Sequence, residues 1–230
     1  MKIIDITGNI YTGMWSMGPP FPEYELKETP TPEWLEYKVY SEIFDGLFSQ
    51  TGTYLETPAH LLGYEKSYPL IDVDAAKLVD LVTYVIKLDY RQLPVFDDRP
   101  AITLDALKSH FSQDVYREKG CRAIFVSTGW GEKWRDKSFV ELSPFMKSDA
   151  MHFLMDQKPF LLGADSPRWE NLKNPEGFFP DFFDADILML GPCVNLEKIK
   201  SQVVKLTALP LKAEGTCCAP CRAIVKDGLE

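Results

Sequence analysis

Histidine is scarce in this chain: 230 residues carry only His60, His110 and His152. A site that needs several imidazoles has almost none to draw on, and none at all after His152. Long apolar runs are missing as well. Nothing approaches the roughly 20 residues of a membrane-spanning helix, so no membrane span is expected. The opening MKIIDITGNI lacks the apolar core of a secretory leader, and no signal peptide is expected. Basic residues are outnumbered, 25 against 34 acidic, for a net charge of −9. That balance disfavours nucleic acid and anionic membrane as partners. No internal repeat or low-complexity segment is visible. A cytoplasmic location follows by default, where the five cysteines are expected to stay reduced.

What is present is ordinary for a globular chain, 45% hydrophobic and 26% charged. Its length can bury a sizeable core, and we read residues 1–230 as a single domain. Buried strands are expected at Leu81–Leu88, apolar and β-branched, and at Ala123–Ser127, and Phe160–Ala164 reads as another strand. Lys2–Ile6, Ile187–Leu190 and Val203–Leu211 read as further strands, with Arg222–Val225 returning after a turn at Glu214–Cys221. Glu23–Phe48 reads as strand-rich, with Asp45-Gly46 as a hairpin signal. Helices are expected after Thr103 and after Ser143-Pro144, each with a hydroxyl N-cap. The aromatic stretch Asn174–Asp184, broken by Pro and Gly, reads as loop. Strands and helices intermix, so the class is α/β, a mixed sheet flanked by helices.

The informative stretch is Ser49–Leu62, S-Q-T-G-T-Y-L-E-T-P-A-H-L-L. Thr51-Gly52-Thr53 is a bend. Gln50, Tyr54, Glu56 and His60 then recur at even offsets, which on an extended segment puts them on one face. Pro58 argues against a regular helix and for an edge or irregular strand. A polar face beside solvent is the other reading. Upstream, the loop Tyr11–Pro22 carries a heavy apolar load, including Trp15 and Phe21. Such a loop folds over a pocket, packs on a partner chain, or simply packs on the core.

This stretch resembles the signature of the cyclase family, metal-dependent hydrolases that include kynurenine formamidase and isatin hydrolase. Their pattern is H-x-G-T-H-x-D-x-P-x-H. Here it stands as Q-x-G-T-Y-x-E-x-P-x-H, with Gly52, Thr53, Pro58 and His60 matching. The T-G-W at Thr128–Trp130 and the D-S-P at Asp165–Pro167, each after a strand, extend the resemblance. It runs in order from Ile4 to Val225. It implies the family's fold, a homodimer or homotetramer, and a hydrolase acting on an amide, lactam or lactone bond of a small substrate, in the manner of an arylformamidase. His60 and Glu56 would be the acid/base pair; Gln50, Tyr54, Trp15, Phe21 and Trp130 would contact the substrate.

The family uses zinc or manganese, and here the resemblance implies that the usual ligands are gone. Gln50, Tyr54 and Glu56 stand for His, His and Asp. Phe179 or a near neighbour stands for a later His, and Gly191 for a Glu. Neither an amide nor a phenol is a ready ligand at neutral pH. No metal ligand is therefore assigned, and the cofactor is left open. Three functional readings remain: a hydrolase with a degraded metal site, a catalytically silent small-molecule-binding protein, and a thiol-dependent enzyme using Cys217, Cys218 and Cys221. Those cysteines, with Cys193, also leave open a soft thiolate site in place of the lost imidazoles.

Overall fold

The computed structural model describes residues 1–228. In chain order come β1 (Lys2–Asp5), β2 (Glu25–Glu28), β3 (Glu42–Asp45), β4 (Tyr54–Glu56), α1 (Ala59–Leu62) and β5 (Leu81–Lys87). Next are β6 (Val95–Phe96), β7 (Arg99–Ile102), α2 (Leu104–His110), α3 (Gln113–Glu118), β8 (Ala123–Ser127), β9 (Phe145–Met146) and α4 (Ser148–Met155). The chain ends through β10 (Leu161–Ala164), α5 (Phe179–Asp184), β11 (Leu188–Gly191), β12 (Val203–Pro210) and β13 (Cys218–Asp227).

The main sheet has the order β1-β13-β12-β5-β8-β10-β11-β4, and β4 pairs again with β13. The expected mixed sheet is therefore closed into a barrel of seven strands, with β1 hung on the outer half of β13. β5, β8, β10 and β11 run parallel; the rest of the ring is antiparallel. Period-two alternation sorts the side chains. Val85, Phe125, Leu161, Leu190 and Leu206 fill the barrel interior. Their neighbours Tyr84, Ile86, Ile124, Val126 and Leu162 face outward and are covered by α2 to α5. The central strands are thus apolar on both faces, which is why their sequences read as unbroken runs.

Four local expectations are corrected. Helix α4 does not start at Ser143: Ser143 is buried, Arg99 donates to its carbonyl at 2.7 Å, and the helix begins five residues later. The short strand β9, pairing with β7, takes the intervening place. Asn174–Asp184 is not all loop, because Pro180 sits in the first turn of α5, where its missing N–H costs nothing. β13 begins at Cys218, four residues before the expected Arg222, because its first residues close the barrel against β4. Asp45-Gly46 is not the β2–β3 hairpin turn; it follows β3, and residues 29–41 connect the two strands. Among the described residues no helix is long and apolar enough to cross a membrane.

Candidate functional site

The site is built around β4, only three residues long and paired on both edges, with β11 and with β13. The Thr51-Gly52-Thr53 bend delivers the chain to it. Gly52 has φ +73°, and a Cβ there would meet Ile10 Cγ1 at 2.9 Å, so glycine is required. Thr53 pins the bend: its hydroxyl donates to the Pro192 carbonyl at 2.6 Å and accepts from the Gly8 amide at 2.9 Å. Leu55 points into the barrel; Tyr54 and Glu56 point out on the helix side. Even spacing explains that pair. It does not explain His60, which a single helical turn, α1, carries back to Glu56. Pro58 sits at the start of that turn rather than excluding it.

Gln50, Tyr54, Glu56 and His60 all line one cavity of about 420 Å³. Gln50 Nε2 donates to Glu56 Oε2 at 2.8 Å, and His60 Nδ1 lies 3.7 Å from the same oxygen. Glu56 is 0% exposed, and its Oε1 has no hydrogen-bond partner. Burial pushes its carboxyl up to about 8, against the single opposing bond from Gln50. Burial also holds the Tyr54 phenol well above its ordinary value, and lowers that of the His60 imidazole, which stays neutral near pH 7.

Most of the remaining wall is apolar and largely aromatic, with Phe21, Trp169, Leu172, Phe179, Phe183 and Met189, and Arg168 and Glu170 add two charged residues to it. Phe21 stacks on Phe48, with ring centroids 5.3 Å apart. The structure does not bring Trp15 and Trp130 to this cavity. Trp15 packs edge-on against Trp134, at 5.1 Å, within an aromatic cluster that also holds Phe139. Trp130 is buried against Tyr90, and its Nε1 donates to the Phe139 carbonyl at 2.9 Å. Sequence reasoning missed Trp169 and Phe183 as wall residues. The D-S-P element that leads into Trp169 was the available signal for the first. The second needed α5, which the loop reading had dissolved.

The fold and the site stand in an informative relation to the metals that the resemblance implies. At position 50 an amide N–H₂ faces Glu56, and at position 54 the phenol is fully buried and far from ionising. Phe179 offers no donor and lines the cavity wall. At position 191 even a Cβ would come within 2.9 Å of the Ala164 carbonyl oxygen. These residues do not fit a pair of zinc or manganese ions. Asp181 and Asp186 are engaged elsewhere, Asp181 with His152 at 3.0 Å and Asp186 with the Tyr68 hydroxyl at 2.7 Å.

A different donor set does assemble beside the cavity. Cys217 Sγ lies 3.8 Å from His60 Nδ1 and 3.9 Å from Cys218 Sγ. Burial pushes the Cys218 thiol up to about 12. Cys221 is not part of this group. Three residues along a strand reverses the face, so Cys221 enters the barrel interior with Cys193.

The family model described as "Putative cyclase" matches residues 4–171. No curated protein matches. Among solved structures, a potential metal-dependent hydrolase with cyclase activity is 22% identical, covering 97% of this chain and 98% of its own, with a TM-score of 0.71. An isatin hydrolase bound to the product analogue thioisatinate is 20% identical, covering 97% and 91%, with a TM-score of 0.72. Isatin hydrolase A from Labrenzia aggregata, bound to benzyl benzoate, is 17% identical, covering 97% and 93%, with a TM-score of 0.75. The structural likeness carries the fold from end to end. The family match covers most of the chain, including the Gly52-Thr53 bend, Pro58 and His60, and by it this chain belongs to the cyclase family.

Proposed function

We propose that this protein is a hydrolase that opens an amide, lactam or lactone bond of a small aromatic substrate, without the family's two-metal arrangement. One observation carries the reading: Gln50, Tyr54, Glu56 and His60 converge on a single aromatic-walled cavity. An abandoned site in a stable fold would fill with apolar side chains, because a buried unpaired polar group costs about 1–3 kcal/mol. Here an unpartnered carboxylate oxygen is retained, and it belongs to a cavity-lining residue. Concave, mostly apolar sites with a few convergent polar groups are the usual form of a small-molecule site.

The division of labour follows from position. Phe21, Trp169, Phe179 and Phe183 offer flat faces to an aromatic ring. The polar end would receive the scissile carbonyl. His60 takes a proton from the attacking water as the new C–O bond forms, and Glu56, 3.7 Å away, returns one to the departing nitrogen or oxygen as its bond to carbon breaks. Gln50 holds Glu56 in place through the 2.8 Å bond. Without a metal-activated water, turnover should be slow.

The test is hydrolysis of aryl formamides, isatin-type lactams and aryl lactones by the protein and by His60→Ala. Slow turnover that falls by about 10²–10⁴-fold in His60→Ala supports the reading. Full turnover in the variant defeats it. Binding of such compounds with no turnover in either protein would favour the second reading, a silent binding protein, which the loss of the family's ligand residues motivates. The thiol-enzyme reading is weaker, because neither Cys217 nor Cys218 lines the cavity.

A further inference from the structure

We propose that His60 Nδ1, Cys217 Sγ and Cys218 Sγ form a binding site for one thiophilic d¹⁰ cation, zinc in the first instance, at the edge of the cavity. This goes beyond the hydrolase reading and does not depend on it.

Distance is the first argument. The three donor atoms lie within 4.8 Å of one another, with two of the separations at 3.8 and 3.9 Å. Tetrahedral zinc with bonds of about 2.3 Å to sulfur and about 2.0–2.1 Å to nitrogen sets its ligand atoms roughly 3.5–3.8 Å apart. Two of the three separations are already close to that spacing, and the third is no more than 4.8 Å. Donor chemistry is the second argument. Two thiols and an imidazole suit zinc or another soft ion, whereas the amide and phenol at Gln50 and Tyr54 do not.

The third argument is the fully buried carboxyl next to the cluster. Glu56 is the register partner of Cys218 across β4 and β13, and its Oε2 is 3.7 Å from His60 Nδ1. Its Oε1 has no protein partner. A buried polar oxygen without a partner is costly, and a cation bound at the cluster would give Glu56 Oε1 one while displacing the protons of the carboxyl and the thiols. Glu56 is thereby available as fourth ligand or as the neighbour that balances charge.

The backbone that presents the sulfurs is already held. Thr57 donates to the Cys217 carbonyl from its amide at 2.8 Å and from its hydroxyl at 3.2 Å. The Thr216 hydroxyl donates to the Cys218 carbonyl at 2.6 Å and accepts from the Cys218 amide at 3.3 Å. Thr57 immediately precedes the turn that carries His60, so the two halves of the site are tied together across 157 residues of sequence. A bound ion would occupy the Nδ1 lone pair, so the metal-bound form of His60 and its form as a base acting through Nδ1 exclude one another.

The experiment is a titration of the reduced protein, freed of metal, with cobalt(II) alone, read by absorption, followed by displacement with zinc(II). One equivalent should bind and give a thiolate-to-cobalt charge-transfer band, which zinc abolishes. Cys217→Ser and His60→Ala, both at positions that are not fully buried, should each weaken binding by more than about tenfold. Cys121→Ser, remote from the cluster, should leave it unchanged. Unaltered thermal melting shows that the variants are folded; if one of them melts early, the other decides. Absence of the band in the parent protein, or a band that persists in both variants, overturns the proposal. Because the readout is a spectrum, its failure is separate from any failure of hydrolysis.

Discussion

Among the described residues two carboxylates are 0% exposed, Asp165 and Glu56, and the protein treats them differently. Asp165, at the end of β10, accepts from the Thr128 amide at 2.9 Å, the Thr128 hydroxyl at 2.7 Å and the Gly129 amide at 2.8 Å. Glu56 accepts one bond, from Gln50, and leaves Oε1 without a partner. Burial drives both upward, Asp165 to about 6 and Glu56 to about 8, and the extra donors around Asp165 oppose the rise more strongly. The two also differ in surroundings: Asp165 ties the end of β8 to β10, while Glu56 lines a cavity. A buried acid with its oxygens satisfied is structural. One kept hungry at a cavity wall is the usual mark of a working site.

The contrast can be attacked through stability. Asp165→Ala should have the largest effect, a loss of about 3 kcal/mol or more in urea unfolding, because it strands the buried amide and hydroxyl of Thr128 and the half-buried amide of Gly129. A loss below about 1 kcal/mol would show that the network is not structural.

Next in size is Gly191→Glu, which restores the residue type that the family carries. The added Cβ meets the Ala164 carbonyl oxygen at 2.9 Å, so the change should cost roughly 1–3 kcal/mol rather than rebuild a metal site. A variant of unchanged stability that gains a zinc or manganese ion would show that the backbone still accommodates the older arrangement.

The smallest effect expected is at His152, on the surface. Its imidazole is raised by its bond to the Ser148 carbonyl and by Asp181, 3.0 Å away. A cation favoured in the folded state stabilises fully below the ordinary value of about 6.5, and that stabilisation fades as pH rises through the raised value. His152→Ala should therefore cost more at about pH 5 than at about pH 8, by no more than about 0.5 kcal/mol given the screening at an exposed pair. A larger cost at the higher pH would contradict the assignment.

Many of the strands, though not their closure into a barrel, were legible because they obey simple rules. Ala123–Ser127 is apolar on both faces and lies where such a run must, in the parallel part of the sheet. Tyr54 and Glu56 share a face through strand alternation, as their spacing indicated. Other parts were hidden for identifiable reasons. His60 reaches Glu56 by a helical turn, so its even offset was coincidental. The start of α5 looked like loop because proline and aromatics also suit a helix's first turn. Trp15 and Trp130 could not be told from wall residues, since a loop tryptophan packs on core or pocket according to tertiary contacts alone. The cysteines meet His60 only because β4 pairs with β13, a closure between segments far apart in sequence.

The measurement that bears most directly on the account is Glu56→Gln, followed in parallel by unfolding and by hydrolysis. The amide has nearly the same shape and removes a buried acid, so stability should stay within about 1 kcal/mol of the parent or rise. Hydrolysis should fall by about 10²-fold or more, since the amide cannot carry the proton. Turnover that survives the change, or a stability loss as large as that of Asp165→Ala, would contradict the claim that Glu56 is held at the cavity for chemistry.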